Sequence, residues 1–219
     1  MLIGFRFKNC RSFYKENRLS MEATSDKELK EINTFSIESK VMPQDEGEFL
    51  KSAVIFGSNA SGKSNVLKAI AYMKNCLMQS ASQLPIVASN EYFAFYEGAE
   101  DEESLYEVEI IHNNTYYKYG FTLLHGVVES EWLDRRKERL TNVFTRNKQN
   151  IDVVGLSKDA VKLLNIAPNT LFLSVGNNFK LEIAPYLNDV MVWFLNLLIV
   201  FENNANSLDI YTLENGKYK

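Results

Sequence analysis

Cysteine is scarce in this 219-residue sequence: Cys10 and Cys76 are the only two, far apart and without metal-ligand spacing. Neither a disulfide scaffold nor a zinc site is therefore indicated, and a reduced, cytoplasmic setting is expected. Long apolar runs are missing too. The longest, from Met191 to Phe201, is interrupted by Asn196 and falls short of the roughly 18 residues that suggest a membrane span. The N-terminal MLIGFRFKNC carries charges where a signal peptide needs an apolar centre. Neither sign of charge dominates, since 24 Lys and Arg stand against 28 Asp and Glu for a net charge of −4. A chain whose main task is to coat nucleic acid would be far more basic. What remains, 46% apolar, 12% aromatic and 24% charged, is ordinary globular composition in enough chain for one large domain or two small ones.

Residues 2–7, 18–23 and 52–56 read as strands around a Lys- and Glu-rich surface excursion at 25–48, which contains Pro43 and Gly47. A helix is expected over 62–78, because Val66, Ile70, Met73 and Leu77 recur on one face. Residues 91–146 change to period two and read as an antiparallel meander. Tyr106, Val108 and Ile110 share a face opposite Glu107 and Glu109, with tight turns at Asn113-Asn114 and His125-Gly126. Tyr117, Tyr119, Phe121 and Leu123 then form the buried side of the next strand. Beyond the meander the pattern predicts a helix over 157–165, a strand over 170–174, and a long helix over 185–203 begun by Pro185.

The segment that carries chemistry is Gly57-Ser58-Asn59-Ala60-Ser61-Gly62-Lys63-Ser64, two glycines separated by four residues and followed by Lys and Ser. A match of this kind arises by chance in about one chain in a hundred of this length, and the expected strand before it and helix after it strengthen the reading. The glycines let backbone N–H groups close on phosphates, and the helix N-terminus favours an anion. Lys63 is expected between the β- and γ-phosphates, and the Ser64 hydroxyl on Mg²⁺. ATP and Mg²⁺ are thus the expected cofactors.

Other nucleotide-binding classes fit less well. Asp152-Val153-Val154-Gly155 spells one GTPase element, but Asn147-Lys148-Gln149-Asn150 lacks the closing Asp of the guanine-reading element and precedes it in the chain. A small kinase usually opens with its phosphate loop, whereas about fifty residues precede this one. An ATPase also needs a second acid at the end of an apolar strand. The one spelling of that kind, 197–201 followed by Glu202, sits in a run better suited to a helix, so Glu202 reads first as a helix C-terminus and second as a catalytic acid.

The opening Ile3-Gly4-Phe5-Arg6-Phe7-Lys8-Asn9-Cys10-Arg11-Ser12-Phe13, the loop ending in Lys63-Ser64-Asn65, the Tyr117-Lys118-Tyr119-Gly120-Phe121 and Glu131-Trp132-Leu133 segments, and Asn169-Thr170-Leu171-Phe172-Leu173-Ser174 together resemble the N-terminal lobe of prokaryotic AAA-family ATPases related to RecF, SMC and the OLD proteins. The resemblance runs through nearly all of 1–219 as a single, partial domain. It implies an α/β P-loop NTPase of the ABC-ATPase type, with a mixed sheet, a flanking antiparallel meander and C-terminal helices. It also places Arg11 and Ser12 beside the phosphates or ribose, makes Asn177 or Asn178 a candidate for Mg²⁺ or water, and makes the 185–203 helix the root of an arm between lobes.

The family's signature loop, its strand ending in Asp-Glu and its switch histidine have no counterpart here; His112 and His125 fall in turns. The expected partner is accordingly a second ATPase lobe or a homo-oligomer, with a nuclease, a toxin or DNA as further partner classes and no membrane. The reading is ATP binding, with hydrolysis only when the missing lobe is supplied, in a DNA-linked or anti-phage defence system. The alternative is a protein-interaction module, regulated by nucleotide or free of it, working through the apolar C-terminal run. The basic corner Arg135-Arg136-Lys137-Glu138-Arg139 reads first as a solvated turn.

Overall fold

The computed structural model describes residues 1–26, 28–37, 41–42, 47–80, 92–176, 178–179 and 181–201. The expected meander is its centre. Strands β1 (Leu2–Lys8) and β2 (Asn17–Ser20) are joined by strands β5 (Ser104–His112), β6 (Thr115–Leu124), β7 (Val127–Arg136), β8 (Leu140–Asn147) and β9 (Asn150–Val153). They form one seven-stranded sheet in the order β2-β1-β5-β6-β7-β8-β9. Every pairing in it is antiparallel. The expected mixed sheet is thereby corrected: among the described residues no parallel pair occurs. The turns explain the regularity. Asn113 and Asn114 (φ 49 and 53°) and His125 and Gly126 (φ 45 and 85°) both take the left-handed backbone that matches strand twist in two-residue hairpins.

In the 25–48 excursion a short helix α1 (Lys30–Asn33) leads into strand β3 (Thr34–Ser36), which pairs with strand β4 (Glu48–Leu50). The helix after the glycine motif is α2 (Lys63–Ser80), and Ile70, Met73, Cys76 and Leu77 on its apolar face are buried. They meet Tyr106, Val108, Tyr119 and Phe121 of the sheet in one core. Helices α3 (Lys158–Lys162), α4 (Phe172–Gly176) and α5 (Ala184–Val192) add Val161, Phe172, Leu173, Leu187 and Val190 to the same core.

Three expectations about the C-terminal third are corrected. Residues 170–174 are not a strand: from Phe172 the chain turns into α4, because the buried Glu131 carboxylate accepts the N–H groups of Phe172 (2.7 Å) and Leu173 (3.0 Å). The 157–165 helix shrinks to α3, capped by Ser157, whose hydroxyl accepts from the Ala160 N–H at 3.2 Å. The helix expected over 185–203 ends early. After α5 a single π-helical turn (Trp193–Leu197) closes with Leu198 N–H donating to Trp193 C=O at 2.9 Å, and Leu198 is extended. Beyond it Leu198 and Val200 pack against the core while Leu197, Ile199 and Phe201 are exposed. The sequence period has changed from about 3.6 to two. A continuous apolar run cannot announce that change, which is why a helix was expected.

The most consequential departure concerns 52–56. These residues form no strand, and none of their backbone groups has a hydrogen-bond partner among the described residues. Val54 is 73% and Phe56 88% exposed. Apolar, β-prone sequence thus reaches the glycine motif with neither a ladder nor a cover.

Candidate nucleotide-binding site

The loop from Gly57 to Gly62 curls back on itself. Ser61 N–H donates to Ser58 C=O at 3.3 Å, Ala60 and Gly62 take positive φ (61 and 89°), and α2 starts at Lys63. Gly62 is favoured by its backbone, and both glycines sit close to serine hydroxyls. A Cβ on Gly57 would stand 2.6 Å from Ser61 Oγ, and one on Gly62 would stand 2.6 Å from Ser12 Oγ, in addition to its left-handed backbone. The Lys63 ammonium is folded over the loop and donates to Gly57 C=O at 2.8 Å and Ser58 C=O at 2.6 Å. An ammonium has three N–H donors, so this anchoring holds the charge at the loop and leaves one donor for an anion. The Ser64 hydroxyl stands exposed in the first turn of α2.

Ser12 reaches the loop from the other side of the chain. Cys10 and Phe13 close a tight turn through reciprocal backbone hydrogen bonds of 2.9 Å, with Arg11 at φ 52°. This presents Ser12 to Asn65, whose amide donates to Ser12 Oγ at 3.0 Å. The Phe13 ring approaches Gly62 and packs edge-on against Phe7 at 4.8 Å. Ser12 therefore touches two loop residues, and Arg11, half-buried, is its neighbour on the same turn. The Asn65 to Ser12 link is a feature that sequence reasoning missed, since nothing in the spacing of 53 residues announces it.

The fit to phosphate is good: a curled loop closed by two glycines, a fixed ammonium and the N-terminus of an 18-residue helix together attract and surround an anion. A magnesium ion would take the Ser64 hydroxyl, phosphate oxygens and water as ligands, for the described residues hold no group of three or more His, Cys, Asp or Glu that fits a metal.

Asn178 lines a cleft with Ser80 and Thr170, and Ser80 ends α2, about 24 Å from Ser64 by helix rise. Asn177 and Glu202 lie outside the described residues. His112 ends β5, and His125 sits in its turn 3.2 Å from Asp101. The basic corner is the tip of the β7–β8 hairpin, where Arg135 lies 4.1 Å over the Tyr186 ring. The faces of Tyr117, Tyr119 and Phe121 are fully buried and offer no stacking surface.

Sequence reasoning also missed the polar centre behind the sheet. Glu131 and Arg146 are both completely buried, 3.8 Å apart. Arg146 donates to the carbonyls of Lys148, Thr170, Ala167 and Pro168. Glu131 accepts from Tyr119 as well as from the N-terminus of α4. Burial pushes the Glu131 carboxyl up against the opposing pull of these donors and of Arg146, and burial likewise pulls Arg146 down. The available signal was an Arg at an inward position of a strand, two residues after the buried Phe144.

Residues 52–153 match the family described as "AAA domain, putative AbiEii toxin, Type IV TA system". The match supports an AAA, P-loop ATPase-like domain. It covers a little under half of the chain, from the uncovered segment before the loop to the end of β9. Nucleotide binding and ATPase-type activity are the functions such a domain suggests. No curated protein matches the chain. The antiparallel sheet with its helices is compatible with a P-loop AAA domain, and no helix among the described residues is long and apolar enough to cross a membrane.

Proposed function

We propose that the chain is the phosphate-holding lobe of a RecF/SMC/OLD-like ATPase of the toxin or phage-defence type, binding Mg-ATP at residues 57–65 with Arg11 and Ser12 alongside. Lys63 holds the β- and γ-phosphates, and Ser64 contributes its hydroxyl to Mg²⁺. Hydrolysis further requires groups that activate water, supplied by a second lobe. The observation that carries this reading is the bare segment before the loop. Five consecutive residues have no backbone partner among the described residues, and Val54 and Phe56 are largely exposed. In water that arrangement forfeits both ladder hydrogen bonds and apolar burial, which a neighbouring strand would restore.

The test is turnover by the purified chain. Phosphate release should be negligible for the chain alone. Robust release that disappears in Lys63→Ala would show that the chain is catalytically complete and would overturn the two-lobe reading.

A second reading is favoured by one observation. Leu197, Ile199 and Phe201 present an exposed apolar row next to the π-helical turn, a kind of surface that marks an interaction site when contiguous. On this reading nucleotide regulates association and no catalysis follows. Light scattering after size exclusion distinguishes it: a partner-dependent or self-associated state that changes with ATP supports it, and a monomer indifferent to ATP counts against it.

A further inference from the structure

The structure carries a further exposed apolar feature, built of aromatic rings and beginning at Tyr14, two residues after Ser12. Tyr14 lies with its ring centroid 4.7 Å from that of Tyr96 and 5.6 Å from that of Phe93, and Phe93 is 5.8 Å from Phe95. Phe95 is 89% exposed. The rings are held firmly from beneath. The side-chain amide of the fully buried Asn9 donates to the carbonyls of Ala99 (2.7 Å) and Glu102 (2.9 Å), while its oxygen accepts from Phe93 N–H at 3.3 Å. Tyr14 donates to Glu102 Oε1 at 2.6 Å. Phe95 and Tyr96 stand open to water beside the half-buried Tyr14 and Phe93, and exposed aromatic area of this kind requires a reason because it is normally covered.

The surroundings say what covers it. Residues 97–103 carry five acids, Glu97, Glu100, Asp101, Glu102 and Glu103, and no Lys or Arg. Glu102 is engaged by Lys8 and Asp101 by His125, whereas Glu97, Glu100 and Glu103 have no ion pair or hydrogen-bonded side-chain partner among the described residues. Aromatic faces attract cations through their quadrupole, and a run of carboxylates supplies the matching long-range field. The same field repels nucleic acid and anionic lipid. We infer that Tyr14, Phe93, Phe95 and Tyr96, with the acidic run beside them, form a docking surface for a basic peptide segment of a partner protein, whose Arg or Lys side chains lie across the rings. This inference does not depend on nucleotide binding.

The experiment measures fluorescence anisotropy of a labelled peptide of alternating Arg and Gly, titrated with the full chain, with alternating Glu and Gly as control. The Arg peptide should bind and the Glu peptide should not. Phe95→Ala/Tyr96→Ala should weaken binding at least about fivefold, equivalent to about 1 kcal/mol. Glu97→Gln/Glu100→Gln/Glu103→Gln should weaken it further at low salt than at high salt. Both variants alter exposed side chains, and unchanged circular dichroism confirms their fold. Three results would overturn the inference: no binding of the Arg peptide; equal binding by the ring variant, which reduces the effect to charge alone; or displacement of the peptide by AMP, which makes the rings a purine-base site.

Discussion

Replacing Arg146 by Met tests the account of what holds the C-terminal third to the sheet. The guanidinium donates four hydrogen bonds to carbonyls, at 2.6 Å to Lys148, 2.5 Å to Thr170, 3.2 Å to Ala167 and 3.3 Å to Pro168, and it faces the buried Glu131. Met fills similar volume but satisfies none of these groups, and it leaves a carboxylate without its cation. Breaking a buried pair in this way costs about 3–5 kcal/mol. In a chain of this length that corresponds to a fall in Tm of roughly 6–20 °C.

The pH dependence follows from Glu131, whose carboxyl is raised in the folded state, chiefly by burial. Below its ordinary value of about 4.3 the group is protonated in both folded and unfolded chain and costs nothing. As pH rises through the raised folded value, the folded state must ionise a buried group and stability falls. Removing Arg146 raises that value further, so the deficit of Arg146→Met should widen from pH 5 to pH 8. Urea unfolding followed by circular dichroism measures it. A loss below about 1 kcal/mol with an unchanged m-value, or a deficit that narrows with rising pH, would refute the reasoning.

Two other perturbations address the sheet and its uncovered neighbour. Gly120→Ala should destabilise by about 1–3 kcal/mol, since its Cβ would stand 2.4 Å from the Trp132 ring, and the near-ultraviolet signal of that Trp, which donates to Glu107 at 2.9 Å, should change with it. Phe56→Asp, at a position 88% exposed, should alter the chain's own stability by no more than about 0.5 kcal/mol. It should nevertheless abolish complementation by a second lobe, a combination that calorimetry and a pull-down would separate.

The sequence announces the meander well, because Tyr106, Val108 and Ile110 alternate strictly with acids and the two hairpin turns carry residues that tolerate left-handed backbone. The phosphate loop and α2 are legible for a similar reason: glycine spacing and helical periodicity are both local signals. What fails to show is non-local. The turn of 172–176 into a helix depends on Glu131, some forty residues earlier, and the register of Ser12 on Asn65 depends on how β1 ends. The apolar stretch near Trp193 suited helix and extended chain equally, and packing decided between them. At 52–56 the residues themselves read as a strand. Local propensity was not contradicted there; the partner strand that would realise it is absent from the described residues.

That the curled loop holds the phosphates of a nucleotide through Lys63 is tested most directly by titrating Mg-ATP into the 219-residue chain and into Lys63→Ala in a calorimeter. The account predicts saturable heat for the parent chain and its loss in Lys63→Ala, with both proteins unfolding at the same temperature. Equal binding by the two, or none by the parent, would contradict it.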